Sequence, residues 1–432
     1  MATVALMGTL DTKGAEHAYL KERLEEAGCE VIVVNVGVLG DPDYAVDFDR
    51  EAVAQAAGAE LDAMERDRDR GTAVTTMAHG AAAIAAKLHA EGRLHGIIGA
   101  GGSGGSSIIS SAMQALPVGV PKVLVSTMAS GDVRPYMGAV DIAMMYSVVD
   151  IAGINAVSAQ ILSNAAAAVA GMAHNYERFS PAVDKKPLVG ATMWGTTTPC
   201  VDQARKWLES AGYEVLVFHA TGAGGRSMEA LMRSGHITAS LDITTTELID
   251  ELAGGTMSAG PDRLETAGEM GLPQVVSLGG VDQISFAPPS LIPAEYMDRS
   301  LYSHNPTVTT IRTDFDENTR FALLMAEKLN RATGPLTVFI PLRGTSQYSA
   351  PGQVFNDPVV DEALFSTLRA NLDAAVEVIE IDTDINDPEF GLAMAEKLDE
   401  HYQTWAKSRR RPKSGEEGVA GRDALVTGTS RN

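Results

Sequence analysis

Cysteine is scarce in this chain of 432 residues. Cys29 and Cys200 stand far apart without metal-ligand spacing, which argues against a disulfide framework or a cysteine metal site and fits a reducing compartment. Positive charge is short as well. With 34 Lys and Arg against 56 Asp and Glu, the formal net charge is −22, which disfavours broad nucleic-acid binding and an anionic membrane surface. Any anionic ligand must therefore be met by local groups. The opening residues lack the basic and apolar regions of a secretory signal, so a cytoplasmic protein is expected. The most apolar stretch, 138–173, is interrupted by Asp141, Asp150, Asn155, Gln160 and Asn164, and reads as buried helix rather than a membrane span. A Walker A loop, G-x-x-x-x-G-K-[ST], is absent throughout.

What the chain does have is alternation. Val- and Ile-rich runs at 4–7, 31–36, 97–99, 123–126, 188–192, 215–219, 275–278, 308–312, 338–341 and 376–381 alternate with helical patterns. This predicts an α/β protein of two Rossmann-like parallel-sheet domains with helices on both faces. The polar stretch 175–187 is the natural linker, giving domains 1–180 and 181–405 and a disordered tail, 406–432. Leu24, Ala27, Gly28, Glu30 and Val31 recur as Leu208, Ala211, Gly212, Glu214 and Val215. An internal repeat and chance likeness among β-α-β units both account for this.

The richest local signal is Ile97-Ile-Gly-Ala-Gly-Gly-Ser-Gly-Gly-Ser-Ser107, an apolar strand entering a glycine turn that opens a helix. Glycines let successive N–H groups approach an anion, and the helix start adds positive potential. Gly99, Gly101 and Gly104 match G-x-G-x-x-G, but the acidic ribose reader expected after the next strand is replaced by Ser126 and Thr127. A phosphate site is favoured over a dinucleotide site. The first loop, Gly8-Thr-Leu-Asp-Thr-Lys-Gly14, also follows a strand. There Lys13 can meet a phosphate and Asp11 a ribose hydroxyl or Mg²⁺; a helix cap and a surface lysine are the plainer alternative. A third loop, Ser126-Thr-Met-Ala-Ser-Gly-Asp132, offers Asp132, while Asp141 and Asp150 read as structural.

Weaker echoes follow in the second half. Gly195-Thr-Thr-Thr-Pro-Cys200 and Gly222-Ala-Gly-Gly-Arg226 each suit an anion. Cys200 reads as an inert small side chain. Thr244 and Glu247 have capping-box spacing, and His304-Asn305-Pro306 is a loop pair suited to acid/base work or to a turn.

Taken in order, the first loop, Gly101-Gly-Ser-Gly-Gly-Ser-Ser107, Thr127-Met-Ala-Ser-Gly-Asp132, Met145-Tyr-Ser-Val-Val-Asp-Ile-Ala-Gly153, Phe218-His-Ala-Thr-Gly222 and His304-Asn-Pro306 resemble a family. It is the uncharacterised bacterial family sharing the ATP-binding domain of the tomato mosaic virus resistance protein, and the likeness spans residues 1–405. One departure is Trp194-Gly195, where family loops often carry two glycines. The resemblance implies an ATP-binding N-terminal half and a homodimer. It supports ATP contact by three loops: Gly8, Thr9, Asp11, Thr12 and Lys13; Gly101, Gly102, Ser103, Gly104, Gly105, Ser106 and Ser107; and Thr127, Met128, Ser130, Gly131 and Asp132. The expected cofactors are ATP and Mg²⁺, with Asp11 and Asp132 as metal candidates and Lys13, Asp132 and Arg226 as catalytic candidates. Two function classes remain: an enzyme transferring a phosphoryl or adenylyl group to a small acid held by the second domain, and a non-catalytic ATP-regulated module.

Overall fold

The computed structural model describes residues 1–67, 69–179, 186–286, 288–306 and 308–410. Its first half contains β1 (Thr3–Gly8), β2 (Glu30–Asn35), β3 (Gly96–Gly101), β4 (Lys122–Ser126) and β5 (Ala143–Tyr146), all parallel, in the order β2-β1-β3-β4-β5. Strand alternation decides what each side chain meets. Ala5 and Met7 pack with Met77, Ile84 and Ile109, from helices Arg70–Ala90 and Ser103–Gln114. Val4 and Leu6 pack on the opposite face with Leu20, Leu24, Leu162 and Val169, from helices Leu10–Glu26 and Ala156–Arg178. Helices thus cover both faces, as the Val/Ile runs require.

The apolar stretch 138–173 is helical only from Ala156 onward; its earlier part supplies the edge strand β5. Ala156–Arg178 is the described helix whose length and hydropathy would suit a membrane span, yet Leu162, Ala165, Ala166 and Val169 are spent on the sheet. Asn155 caps it with a reciprocal bond to Ser158.

The second half contains β6 (Leu188–Met193), β7 (Glu214–His219), β8 (Ala239–Thr244), β9 (Gln274–Gly279), β10 (Gln283–Phe286), β11 (Leu301–Asn305), β12 (Val308–Arg312), β13 (Leu336–Pro341) and β14 (Glu377–Ile381). Six form a parallel sheet, β14-β13-β9-β8-β6-β7, and the other three an antiparallel sheet, β10-β12-β11. Run 308–312 therefore does not join the parallel sheet as expected: it pairs with both neighbours of an inserted meander. β8, unread in the sequence, fills the place beside β6.

Counted from its own first strand, the second sheet runs β7-β6-β8-β9-β13 where the first runs β2-β1-β3-β4-β5. Gly28 and Gly212, the matching helix ends, both have positive φ, +79° and +97°, the left-handed stop that glycine adopts without strain. The expected boundary at 180 lies outside the described residues, as do residues 411–432. Residues 406–410, read as tail, instead continue the helix Pro388–Arg410. There the Arg409 guanidinium covers the Trp405 ring at 4.4 Å, and the Trp405 indole donates to the Gly271 carbonyl at 2.8 Å.

Candidate functional site

In the first sheet β2 and β3 lie on opposite sides of β1, so the chain reverses its direction of travel between β1 and β3. Open α/β sheets bind ligands beyond the carboxyl ends of strands at such a point. A cavity of about 850 Å³ lies there, with Thr9, Asp11, Thr12 and Lys13 on one wall and Gly102, Ser103, Gly104 and Gly105 on another. The structure thereby brings together two of the three loops singled out in the sequence. Apolar Val38, Leu39, Met64, Val74 and Ile108 complete the lining with Asp69 and Arg70.

The glycine turn is open to a ligand. Gly102 precedes helix Ser103–Gln114 without a side-chain cap, and the first-turn amides of a helix have no acceptor within it. At Gly101 a Cβ would come within 2.9 Å of the Ser106 amide nitrogen, so only glycine permits this tight entry. Ser106 faces inward: its hydroxyl donates to the Gly101 carbonyl and meets Ser126 Oγ at 2.6 Å. Ser107 is exposed and outside the cavity lining.

Arg70, which motif reading missed, faces this turn. A Cβ built on Gly104 would lie 3.6 Å from the Arg70 Nη2, and among the described residues no carboxylate pairs with that guanidinium. The clue available in the sequence was Asp69-Arg70 at a helix start, where Asp69 accepts from the Gly71 amide.

Beneath the site lies His17, fully buried. Its Nδ1 meets the Lys13 carbonyl at 2.8 Å, and its Nε2 lies 3.1 Å from the Met7 carbonyl and 3.3 Å from the Ala100 amide nitrogen. The ring thus ties the first loop to β1 and β3 where the strands part. Burial pushes its pKa down, partly opposed by the Lys13 carbonyl contact. Gly8 is required above it, since a Cβ would come 2.1 Å from Nε2.

The charged candidates already have partners. Asp11 Oδ2 accepts from the Val38 and Leu39 amides at 3.1 and 3.0 Å, holding the loop after β2. Lys13 Nζ donates to the Ile151 carbonyl. Asp132 lies outside the cavity lining, exposed, and a fork from Arg134 at 2.9 and 2.7 Å holds its carboxyl down to about 2. The loop of Thr127, Met128, Ser130 and Gly131 also lies outside the lining, although the Thr127 amide donates to the Gly101 carbonyl and the Met128 amide to Ser126 Oγ. Among the described residues no cluster of three or more His, Cys, Asp or Glu is arranged for a metal. A Mg²⁺ ion here would need Asp11 together with oxygens of a phosphate ligand.

The second domain's glycine turn differs. Glu247, fully buried, accepts from the Gly222 and Gly225 amides at 2.7 and 3.0 Å with one oxygen and from Arg263 Nε at 2.7 Å with the other. Its spacing from Thr244 is therefore not a capping box; Thr245 is the cap position and makes no side-chain cap. Arg263 also forks onto Asp242, both contacts 2.6 Å, and reaches Glu229 at 3.4 Å. Burial pushes the Glu229 carboxyl up against the pull of Arg263. The amides expected to receive an external acid thus hold an internal carboxylate, and Arg226 is exposed on the helix beyond them. Cys200 is fully buried and its thiol is pushed up by burial, as an inert side chain would be.

Fold and sites together define a two-domain α/β protein with one open glycine turn and one filled. Residues 2–178 match the N-terminal domain and residues 186–402 the C-terminal domain of the Uncharacterised protein family (UPF0261), and the chain belongs to that family. A UPF0261 protein of Clostridium tetani is 50% identical over 91% of this chain and 98% of its own length. The ToMV susceptible protein tm-1(GCR26) of Solanum lycopersicum is 39% identical over 91% of this chain, which spans 55% of that protein. Among solved structures, a UDP-GlcNAc 2-epimerase from Neisseria meningitidis bound to UDP-GlcNAc overlaps 64% of this chain and 82% of its own, at 9% identity and a TM-score of 0.23.

Proposed function

We propose that the chain binds ATP in the cavity between the loops after β1 and β3. The observation that carries this reading is Arg70, unpaired among the described residues, facing Gly104 at an uncapped helix start. Guanidinium and amide donors together suit phosphate oxygens. Val38, Leu39, Met64 and Val74 offer an apolar wall for a base, and about 850 Å³ is ample for a nucleotide. Lys13 adds positive charge once its bond to Ile151 is exchanged for phosphate, and Mg²⁺ enters on the phosphates beside Asp11.

The reaction this arrangement suits is transfer of a phosphoryl or adenylyl group to a small acid held by the second domain of a cytoplasmic homodimer. A second reading, an ATP-regulated module without turnover, draws support from Lys13, Asp11 and Asp132 all being engaged by the protein itself. Calorimetry with ATP-Mg²⁺ tests binding, and phosphate, ADP and AMP release with a panel of small acids tests turnover. No heat of binding to folded protein refutes the nucleotide assignment; binding without turnover selects the module.

A further inference from the structure

The second domain also has a place where the chain reverses, between β6 and β8, and a groove of about 630 Å³ lies near it. One wall is a single face of helix Thr198–Ser210, carrying Thr198, Asp202, Gln203 and Lys206; Gly195, Gln347 and Asn386 form the rest with Pro199 and Pro388. We propose that this groove binds a sugar acid, a polyhydroxylated monocarboxylate of about four to six carbons, with its carboxylate toward Lys206. This deepens the reading of a small acid on the second domain and relocates it from the glycine turn that Glu247 fills.

The donor and acceptor inventory supports that chemistry. Lys206 is exposed and has no ion-pair partner among the described residues, and a helical side chain leans toward the helix N-terminus, bringing its ammonium back along the groove. The helix start has no side-chain cap, adding positive potential. Asn386 is oriented by its amide nitrogen, which donates to the Thr196 carbonyl at 2.9 Å. Its Oδ1 is then turned away, buried and without a partner, an acceptor that a carboxylate cannot satisfy and a hydroxyl can. Gln283, fully buried outside the groove lining, donates to Thr196 Oγ1 at 3.0 Å and leaves its own Oε1 unpartnered. Asp202 adds a further acceptor. A ligand with one negative charge and several hydroxyls matches this mixture; a fully ionised phosphate ester group, which has no hydrogen to donate, leaves Asn386 and Asp202 unserved.

A histidine stands at the groove. A Cβ on Gly195 would lie 3.7 Å from His304 Cε1, and His304 Nδ1 lies 3.0 Å from the Tyr348 hydroxyl. Burial and neighbouring Tyr302 push the Tyr348 hydroxyl up to about 12. The contact with Tyr348 engages Nδ1 and orients the ring, leaving Nε2 as the ring nitrogen available to a ligand hydroxyl.

The test is titration of the full chain with D-gluconate, D-galactonate and L-threonate, with and without ATP-Mg²⁺, read by saturation-transfer NMR and thermal shift. Sorbitol and hexanoate serve as the hydroxyl-only and carboxylate-only controls. At least one acid is expected to bind saturably while both controls do not, and Lys206→Met, on an exposed side chain, is expected to weaken it by about tenfold. Acid binding by the parent chain without ATP binding refutes the nucleotide reading alone. No acid bound by folded protein in either condition, or equal binding by Lys206→Met, overturns the groove assignment.

Discussion

Glu247 Oε1 lies 2.7 Å from the amide nitrogen of Gly222, occupying from within a turn of the kind that elsewhere receives a ligand's phosphate. The same carboxylate pairs with Arg263, a fully buried guanidinium shared with Asp242 and Glu229. Glu247→Gln removes a charge and one acceptor from this network. It is expected to destabilise the fold by about 3–5 kcal/mol, as breaking a buried pair does, measured as a lower urea midpoint.

Gly104 and Arg70 offer a cleaner probe of the first cavity. A Cβ at Gly104 meets nothing closer than 3.6 Å, so Gly104→Val is expected to fold normally and abolish ATP binding by filling the turn. Arg70→Ala should weaken binding by about tenfold, the loss of one charge-assisted contact. Calorimetry beside a thermal melt separates these effects from unfolding.

Lys13 and Glu16 fasten the segment after β5 to helix Leu10–Glu26, through the Ile151 carbonyl and the Gly153 amide. In Lys13→Met the segment 147–154 should be cut faster by thermolysin at unchanged global stability. On the proposed reading ATP competes for Lys13, so its addition should speed cleavage in the parent and not in the variant.

Two buried groups give opposite pH slopes. Burial raises Asp250 to about 7, against bonds from the Ser285 and Met257 amides. Between the ordinary carboxyl pKa and that value the folded state binds the extra proton, so stability falls as pH rises through the window. His17, whose pKa is lowered by burial, is neutral when folded while the unfolded imidazole protonates. Stability is therefore lost as pH falls below about 6.5. Urea titrations across pH should find the first slope reduced in Asp250→Asn and the second in His17→Gln.

The parallel sheets were legible because Val and Ile runs such as 31–36 and 338–341 are buried on both faces and leave an unbroken apolar trace. β8 was not, because Ser240, Asp242 and Thr244 interrupt it; Asp242 is tolerated in a buried strand only through the Arg263 fork, and that partner lies 21 residues away. Run 308–312 looked like its neighbours, and only its antiparallel pairing with β10 and β11 reveals a different sheet. The glycine turn and first loop announced themselves by composition. Arg70 did not, since proximity to Gly104 depends on how helix Arg70–Ala90 packs against helix Ser103–Gln114, which no local spacing records. Glu247 misled because capping-box spacing and a long-range carboxylate leave the same letters.

Trp405 ties the helix Pro388–Arg410 to the second domain. The family likeness stops at residue 402, yet the indole beyond it packs beside Met228, Met232 and Leu272 and latches the turn at Gly271, whose φ is +62°. A chain shortened to the shared region would keep every strand and lose this latch. The outer corner of the domain would then be held by fewer anchors than the sheet behind it, so this stretch of the helix works as a fastening for a distant turn.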